Sequence, residues 1–467
     1  MSTHPSSATL GQLKASGWLS VPVKEEIRRN AVTRISSGKR LFEGMVGYDD
    51  TVLPQLENAL LAGHDVIFLG ERGQGKTRMI RSLTNLLDEW MPIVSGSEIF
   101  DDPYSPISRF ARELLSEWGD ETPITWVHRD VRFGEKLATP DTSIADLIGE
   151  VDPIKVAEGR YLSDELTLHY GLVPRTNRGI FAINELPDLA ERIQVGLLNV
   201  LEERDVQIRG YKIRLPLDIM LVASANPEDY TNRGRIITPL KDRFGAQIRT
   251  HYPLDVAAEL EVVYQEAMAP VGGEVVVQMP DFMAEIVATF TQLARQSPNV
   301  NQRSGVSVRL SVANYETLTA ASIRRALRAG EKQAVPRVSD LDALMSSTQG
   351  KIEIETLDER EGSVVEKLLR GAVLTVFKDR VRIEDMREAI GAFDEGLVVH
   401  TGDDLKAADY VLTLEGNKAL AGAIDRLGIG NTPGELASAT EFILEGLHLS
   451  KRLNKDASGA KATYRGR

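Results

Sequence analysis

The chain has 467 residues, enough for two to four domains, and its 42% hydrophobic and 26% charged residues are typical of a globular protein. Its net charge of −13 disfavours nonspecific binding of nucleic acid, and the absence of cysteine excludes disulfides and thiolate metal sites. Residues 1–7 lack the apolar core of a secretory signal, and no apolar run approaches the roughly 20 residues of a membrane-spanning helix, so a cytoplasmic location is expected.

The domain organisation is predicted from changes in pattern along the chain. Residues 1–42 predict a helical lead-in. From 43 to 260, strand-like and helix-like segments alternate, which indicates an α/β core with a parallel sheet covered by helices. Within this core, 91–140 is interpreted as an insertion with its own small structure. Helical patterns at 261–454 predict a lid and C-terminal domain, and the basic tail 455–467 is expected to be disordered.

Short apolar runs bounded by turn residues predict the strands of the core sheet. They lie at 66–69, 180–183, 219–225 and 247–252. A helix is predicted at 76–90, because its apolar residues recur at spacings of three and four. Further predictions are helices at 24–33, 109–118, 281–295, 309–328, 363–378, 383–394 and 436–454, a loop at 101–106, and a strand at 351–355.

A phosphate-binding loop of the form G-x-x-x-x-G-K-[ST] follows the first predicted strand and begins the first core helix. It reads Gly70-Glu71-Arg72-Gly73-Gln74-Gly75-Lys76-Thr77, and the residues predicted to contact a nucleoside triphosphate extend to Arg78. Its glycines let the backbone turn N–H groups inward, its lysine reaches the β- and γ-phosphates, and its threonine offers a hydroxyl to Mg²⁺. The alternative, a glycine-rich turn before an ordinary helix, is disfavoured by this context.

An acidic residue follows the second apolar strand, where a nucleotide hydrolase of this type usually carries Asp-Glu. Here the pair is Asn184-Glu185, so the glutamate that polarises water is present and the metal-binding aspartate is replaced. Asparagine accepts a hydrogen bond from metal-bound water but brings no charge. We therefore expect Asn184 to bind Mg²⁺ weakly and hydrolysis to be slow, with nucleotide binding retained. The alternative is that Glu185 is a surface acid.

Several stretches together resemble the AAA+ ATPases of the clade that contains the magnesium chelatase I subunit and the MoxR proteins. The resemblance covers most of residues 43–330 and implies an AAA+ fold with a helical lid, ATP and Mg²⁺ as cofactors, and ATPase activity. The stretches are Gly44-Met45-Val46-Gly47-Tyr48-Asp49-Asp50, Arg178-Gly179-Ile180-Phe181, Leu221 to Pro227, Pro239 to Gly245, and Val306-Ser307-Val308-Arg309.

The resemblance also implies roles for individual residues. Val46 and Gly47 would line the adenine pocket, and Asn226 would lie beside the attacking water. Arg243 would be the arginine finger offered to a neighbouring subunit, and Arg309 would contact the γ-phosphate from the lid. Each has a structural alternative: a turn before Pro227 for the asparagine, a surface ion pair for the first arginine, and an exposed helix face for the second.

Two insertions, 157–178 and 203–214, resemble hairpins that face the ring pore or partner proteins in the family. In the second, apolar residues flank Gly210. The alternative is that each hairpin merely covers an edge of the sheet.

Three functions follow from these observations. The first is a ring-forming ATPase, expected to be hexameric, that remodels a partner protein or drives metal insertion as in a magnesium chelatase. A partner with a von Willebrand A domain is suspected. The second is a binding switch that hydrolyses ATP slowly because of Asn184. The third, a nucleic-acid motor or transcription activator, is disfavoured by the acidic charge and by the missing Gly-Ala-Phe-Thr loop of sigma-54 activators.

Overall fold

A computed structural model describes residues 5–151, 167–202, 205–207, 214–226, 235–268, 273–302, 304–355, 361–458 and 461–467. The chain divides into two compact units, Met1–His251 and Tyr252–Arg467. The boundary therefore falls directly after the last strand of the core sheet, earlier than the position 260 predicted from the sequence.

The strands of the first unit form one main sheet and several antiparallel pairs. They are β1 Val66–Leu69, β2 Trp90–Val94, β3 Ile124–His128, β4 Phe133–Leu137, β5 Gly149–Val151, β6 Leu168–Tyr170, β7 Gly179–Asn184, β8 Asp205–Gln207, β9 Arg214–Pro216, β10 Ile219–Ala225 and β11 Ala246–Arg249. The main sheet has the order β11-β1-β10-β7-β4, and all of its neighbouring strands are parallel. The predicted α/β class is confirmed.

The inner strands of the main sheet, β1, β7 and β10, are buried on both faces, which explains why they are continuous apolar runs. Val66 and Phe68 pack into one layer with Met79 of the helix after the phosphate loop, whereas Ile67 packs into the opposite layer with Leu197. The helices of this unit are Leu10–Ala15, Val23–Ser36, Val52–Ala62, Lys76–Ser82, Arg109–Trp118, Ile144–Leu147, Leu172–Arg175, Glu191–Glu202 and Thr238–Arg243.

The region 91–140 is only partly an insertion, and this corrects the prediction. Its β2 and β3 form a separate antiparallel pair, but β4 joins the main sheet beside β7. The predicted helix 76–90 is also shorter than expected. It ends at Ser82 and continues as a 3-10 turn to Leu86, because the backbone becomes extended at Leu87 before entering β2.

The part of the lead-in from residue 23 to 42 packs into the core rather than forming a separate element. Val23 and Ile27, on the helix Val23–Ser36, pack into the layer that covers the main sheet. On the same helix, Glu26 makes two hydrogen bonds with the guanidinium of Arg132, at 2.8 and 2.6 Å, and both residues are buried. This helix is therefore attached to the core by packing and by a buried ion pair.

The bases of both predicted hairpins are antiparallel pairs, β5 with β6 and β8 with β9. Much of the predicted hairpin sequence, at 157–166, 203–204 and 208–213, lies outside the described residues.

The second unit is mainly helical, as predicted. Its helices pack around a single large apolar cluster that includes Phe282, Phe377 and Phe442. They are Val256–Glu266, Asp281–Gln296, Arg309–Ala329, Leu344–Thr348, Glu361–Arg380, Arg387–Asp394, Ala407–Glu415, Lys418–Asp425 and Pro433–Leu449. Within the part of the chain that is described, no helix combines the length and apolar character that crossing a bilayer requires.

Two predictions for the second unit are wrong. The segment 351–355 is not a strand but makes isolated bridges, Ile352 with Gln349 and Ile354 with Val300. The basic tail is not disordered. In its described residues, β15 Asn454–Ser458 and β16 Lys461–Arg465 form an antiparallel sheet with β14 Val398–Gly402, because Tyr464 is buried in the apolar cluster. The remaining strands, β12 Val276–Val277 and β13 Gln333–Ala334, are parallel.

Candidate nucleotide site

The phosphate loop joins the carboxyl end of β1 to the helix Lys76–Ser82, where the sequence predicts it. Gly73 and Gly75 have φ angles of 74° and 72°, in the left-handed region that favours glycine. Gly70 has a different requirement. A Cβ atom there would lie 1.9 Å from the Thr250 hydroxyl and 2.2 Å from Gln74 Oε1. The loop therefore needs glycine for its backbone angles at two positions and for space at the third.

The ammonium group of Lys76 is buried within the loop. It donates to the carbonyl oxygens of Gly70 and Glu71, the latter at 2.7 Å, and to Oδ1 of Asn226 at 2.8 Å. These three acceptors are neutral oxygens around a residue that is only 7% exposed. An ammonium group held at this position can donate charge-assisted hydrogen bonds to the oxygens of a phosphate in the loop.

Asn226 connects the loop to the acidic residue of β7. It follows β10, and its Nδ2 donates to Oε2 of Glu185 at 2.8 Å while its Oδ1 accepts from Lys76. Glu185 has φ 55° and ψ 47°, an uncommon backbone conformation for a residue other than glycine. The carboxyl ends of three neighbouring strands thus bring Lys76, Asn226 and Glu185 into one hydrogen-bonded chain.

Asn184 lies beside this chain and is held by hydrogen bonds from two sides. Its Oδ1 accepts from the Ser224 hydroxyl at 3.1 Å, and its Nδ2 donates to Oε1 of Glu135 at 2.6 Å. The other oxygen of Glu135 accepts from Nε of Arg81 at 2.9 Å. A carboxylate from β4 thus occupies the position next to the residue that replaces the usual aspartate.

The segment before the helix Val52–Ala62 packs against the phosphate loop. The Tyr48 hydroxyl lies 2.7 Å from the carbonyl oxygen of Gln74 and 2.8 Å from that of His251. Burial raises the pKa of Tyr48 to about 12, so the hydroxyl stays protonated and can donate. Gln74 Oε1 accepts from the Thr250 hydroxyl at 2.6 Å. These contacts connect the loop to the end of β11.

These residues fit a nucleoside triphosphate with Mg²⁺. The loop leads into the N-terminus of the helix Lys76–Ser82, where backbone N–H groups and the helix dipole favour an anion. Thr77, Asn184 and Glu185 offer hydroxyl, amide and carboxylate oxygens, the donors that Mg²⁺ prefers. Among the described residues, no group of three or more His, Cys, Asp or Glu could hold a metal by itself.

Other predicted site residues lie outside this cluster. Arg72 and Arg78 are exposed at the loop, and Val46 and Gly47 lie in the segment next to Tyr48. Arg243 is exposed at the end of the helix Thr238–Arg243, with its guanidinium 3.7 Å from Asp242. Arg309 begins a helix of the second unit and is also exposed.

The sequence did not predict Glu135, Ser224 or Thr250 as site residues. Each lies in or directly after a strand of the main sheet, and of the three only Ser224 belongs to a stretch that carries the resemblance, Leu221 to Pro227. Thr250 lies inside the strand predicted at 247–252, whereas the observed strand ends at Arg249 and places Thr250 at the edge of the sheet. Glu135 was not predicted because β4 was itself assigned to the insertion.

Comparison with known proteins agrees with this geometry. Residues 158–243 match the family described as the Sigma-54 interaction domain. The chain is 28% identical over 235 residues to the magnesium-chelatase 38 kDa subunit of Cereibacter sphaeroides, covering 48% of this chain and 62% of the relative. It is 30% identical over 234 residues to the magnesium-chelatase subunit ChlI of a Nostoc species, covering 48% and 58%. The match thus spans about three-fifths of these relatives.

Among solved structures, one similar chain comes from a cryo-EM complex between subunits BchI and BchD of magnesium chelatase. It is 22% identical, with a TM-score of 0.35, and the match covers 69% of this chain and 97% of that one.

The glycine-rich loop after β1, the sheet order and the Lys76–Asn226–Glu185 chain define a P-loop ATPase of the AAA+ class. Within that class, the chain is similar to magnesium-chelatase subunits over about half of its own length.

Proposed function

We propose that this protein is an ATP-hydrolysing ring motor that acts on a partner protein, and that it binds ATP with Mg²⁺ at the phosphate loop. The observation that carries the proposal is the hydrogen-bonded chain from Lys76 through Asn226 to Glu185. It connects the ammonium group of Lys76, which would bind the phosphates, to the carboxylate of Glu185, which would polarise water. A change in the bound phosphates would therefore alter the hydrogen bond that Glu185 accepts.

The proposed site is shared between subunits. Arg243 is exposed at a helix end in the first unit, and we infer that it reaches the γ-phosphate bound by a neighbouring copy. An arginine placed there is worth roughly 10³–10⁵ in rate, because it neutralises charge on the transferring phosphoryl group. Arg309, also exposed, is proposed to contact the γ-phosphate. Val46 and Gly47 are proposed to line the adenine pocket.

A mixing experiment tests the shared site. Glu185→Gln removes the water-polarising acid but keeps the finger, whereas Arg243→Ala removes the finger but keeps the acid. Each variant alone should be inactive. A 1:1 mixture should recover roughly a quarter of the natural ATPase rate, because in a head-to-tail ring about one interface in four pairs an intact acid with an intact finger. A mixture that stays inactive, or an active Arg243→Ala protein, would contradict the proposal.

The partner is proposed from the sequence relatives. Those relatives are magnesium-chelatase subunits, and we infer a complex in which a hexameric ring acts on a protein with a von Willebrand A domain, either in metal insertion or in protein maturation. Co-purification with a non-hydrolysable ATP analogue, followed by identification of the bound protein, tests this.

A slow binding switch is the second candidate, favoured by Asn184 in place of aspartate. A transcription activator receives some support from the match at 158–243, but this segment contains no Gly-Ala-Phe-Thr run. A bound-ATP lifetime of many minutes in the assembled ring would favour the switch over the motor.

A further inference from the structure

A carboxylate from the neighbouring strand faces the residue that departs from the Asp-Glu pattern. Glu135 lies on β4, which pairs in parallel with β7, and its Oε1 accepts from Nδ2 of Asn184 at 2.6 Å. The Glu135 side chain is 21% exposed and Asn184 is buried. This hydrogen bond is therefore largely removed from competing water.

We propose that Glu135 supplies the negative charge that the Asp-Glu pattern places at residue 184. The carboxylate lies one strand further along the sheet than in the Asp-Glu pattern. Its charge acts on the metal through the amide group of Asn184. The inference rests on the proposed function, since it requires ATP and Mg²⁺ to bind at the phosphate loop. Glu135 is a positioning residue in this scheme, because it acts through Asn184.

The chemistry of the pair explains why residue 184 is asparagine. An aspartate there would place two carboxylates within hydrogen-bond distance, and two like charges so close cannot both stay ionised. Asparagine donates a hydrogen bond to Glu135 instead.

The amide is also fixed in orientation. Its N–H group points at Glu135 and its oxygen accepts from Ser224. A carboxylate that accepts from an amide N–H draws the amide dipole towards itself and makes the amide oxygen more negative, since hydrogen bonds in series polarise one another. The oxygen of Asn184 is thus a stronger acceptor for metal-bound water than that of an isolated asparagine.

Arg81 competes for the same carboxylate, since its Nε lies 2.9 Å from Oε2 of Glu135. The Arg81 side chain is 64% exposed, and ion pairs with one exposed member are screened by water and salt. The charge of Glu135 is therefore only partly neutralised.

A charge-swap series tests the proposal. We would compare the natural chain with Glu135→Gln, Asn184→Asp and the double variant. The measurement is equilibrium binding of a fluorescent, non-hydrolysable ATP analogue as free Mg²⁺ is varied. Glu135→Gln should raise the half-saturating Mg²⁺ concentration about tenfold, and the double variant, which returns the acid to position 184, should restore it to within about threefold of the natural value.

The single variant Asn184→Asp gives a second readout. It places two carboxylates together, so its melting temperature without Mg²⁺ should fall and the increase caused by Mg²⁺ with the analogue should exceed that of the natural chain. If the melting temperatures of Asn184→Asp matched those of the natural chain, the proposal that the Glu135 carboxylate lies beside residue 184 as a charge would be contradicted.

Arg81→Gln is the matched control. It breaks the other hydrogen bond of Glu135 but keeps the carboxylate, so it should not raise the half-saturating Mg²⁺ concentration. The proposal would be overturned if Arg81→Gln weakened Mg²⁺ binding as much as Glu135→Gln, or if the double variant failed to recover. If the natural chain bound the analogue without any dependence on Mg²⁺, the proposed function itself would fail. An unchanged half-saturating Mg²⁺ concentration in Glu135→Gln would refute this inference alone.

Discussion

At the scale of single residues, the most informative side chain is Asn226, because it contacts both the cation and the acid of the site. Its two amide atoms have different partners, Lys76 for the oxygen and Glu185 for the nitrogen. An asparagine is suited to this position because it is a donor and an acceptor at once. No charged residue provides both without a change of protonation.

Replacing Asn226 by alanine should therefore slow hydrolysis more than it weakens binding. We expect kcat to fall by roughly 10- to 100-fold, because Glu185 loses the group that orients it, a loss within the range for general acid–base contributions. The affinity for ATP should change by less than about threefold. Steady-state ATPase rates and equilibrium binding check this. Asn85→Ala, at an exposed position, is the control and should leave both unchanged. Equal losses in kcat and affinity would contradict the orienting role.

At the scale of elements, the loop after β1 and the strand β11 depend on each other. The close approach of Thr250 and Gln74 to Gly70 leaves no space for a side chain. A second glycine, Gly196 in the helix Glu191–Glu202, has open space around its Cβ direction and ordinary backbone angles. The two glycines therefore respond differently to the same substitution.

Gly70→Ala should weaken ATP binding by at least about tenfold, because the side chains of Thr250 and Gln74 must move to admit the methyl group and lose their hydrogen bond. Gly196→Ala should instead stabilise the protein by roughly 0.5–1 kcal/mol, since alanine favours the helix. Isothermal titration and thermal unfolding of both variants provide the measurements. If Gly70→Ala bound ATP as well as Gly196→Ala, the packing described for the loop would be wrong.

The helix Val23–Ser36 gives a second test at this scale. Arg132→Ala removes one partner of a buried ion pair and leaves the Glu26 carboxylate without its cation, which typically costs about 3–5 kcal/mol. Arg109→Ala, whose partner Glu113 is exposed, should cost less than about 1 kcal/mol. Denaturant unfolding of the two variants gives both values. Equal losses of stability in the two variants would indicate that Arg132 does not attach the helix Val23–Ser36 to the core.

At the scale of the whole molecule, most of the fold could be predicted because local patterns carry it. Strands β1 and β10 occur where apolar runs were found, since strands buried on both faces are apolar throughout. The helices of the second unit follow from their periodicity. Lys76, Asn226 and Glu185 could be predicted as one site because they follow parallel strands, which end at one edge.

The remaining features depend on contacts distant in sequence. Strand β4, with the sequence Phe133-Gly134-Glu135-Lys136-Leu137, is half polar because it is an edge strand, so it lacks the apolar run of the others. The C-terminal strands were not predicted because their sequence is rich in basic residues. They are ordered by the burial of Tyr464 in the apolar cluster of the second unit. The sequence did not indicate a role for Glu135, because β4 was not predicted as a strand of the main sheet. The order of the strands decides which residue lies beside Asn184.

The proposed function makes one claim about the whole chain, that it binds ATP at the phosphate loop and hydrolyses it through Glu185. The most direct test measures ATP binding and ATP turnover of the natural chain and of Glu185→Gln, with the exposed Glu191→Gln as control. We predict that Glu185→Gln binds ATP with an affinity within about threefold of the natural one and hydrolyses it at least about 100-fold more slowly, while Glu191→Gln behaves like the natural chain. Turnover by Glu185→Gln at the natural rate, or a natural chain that does not bind ATP, would contradict the claim.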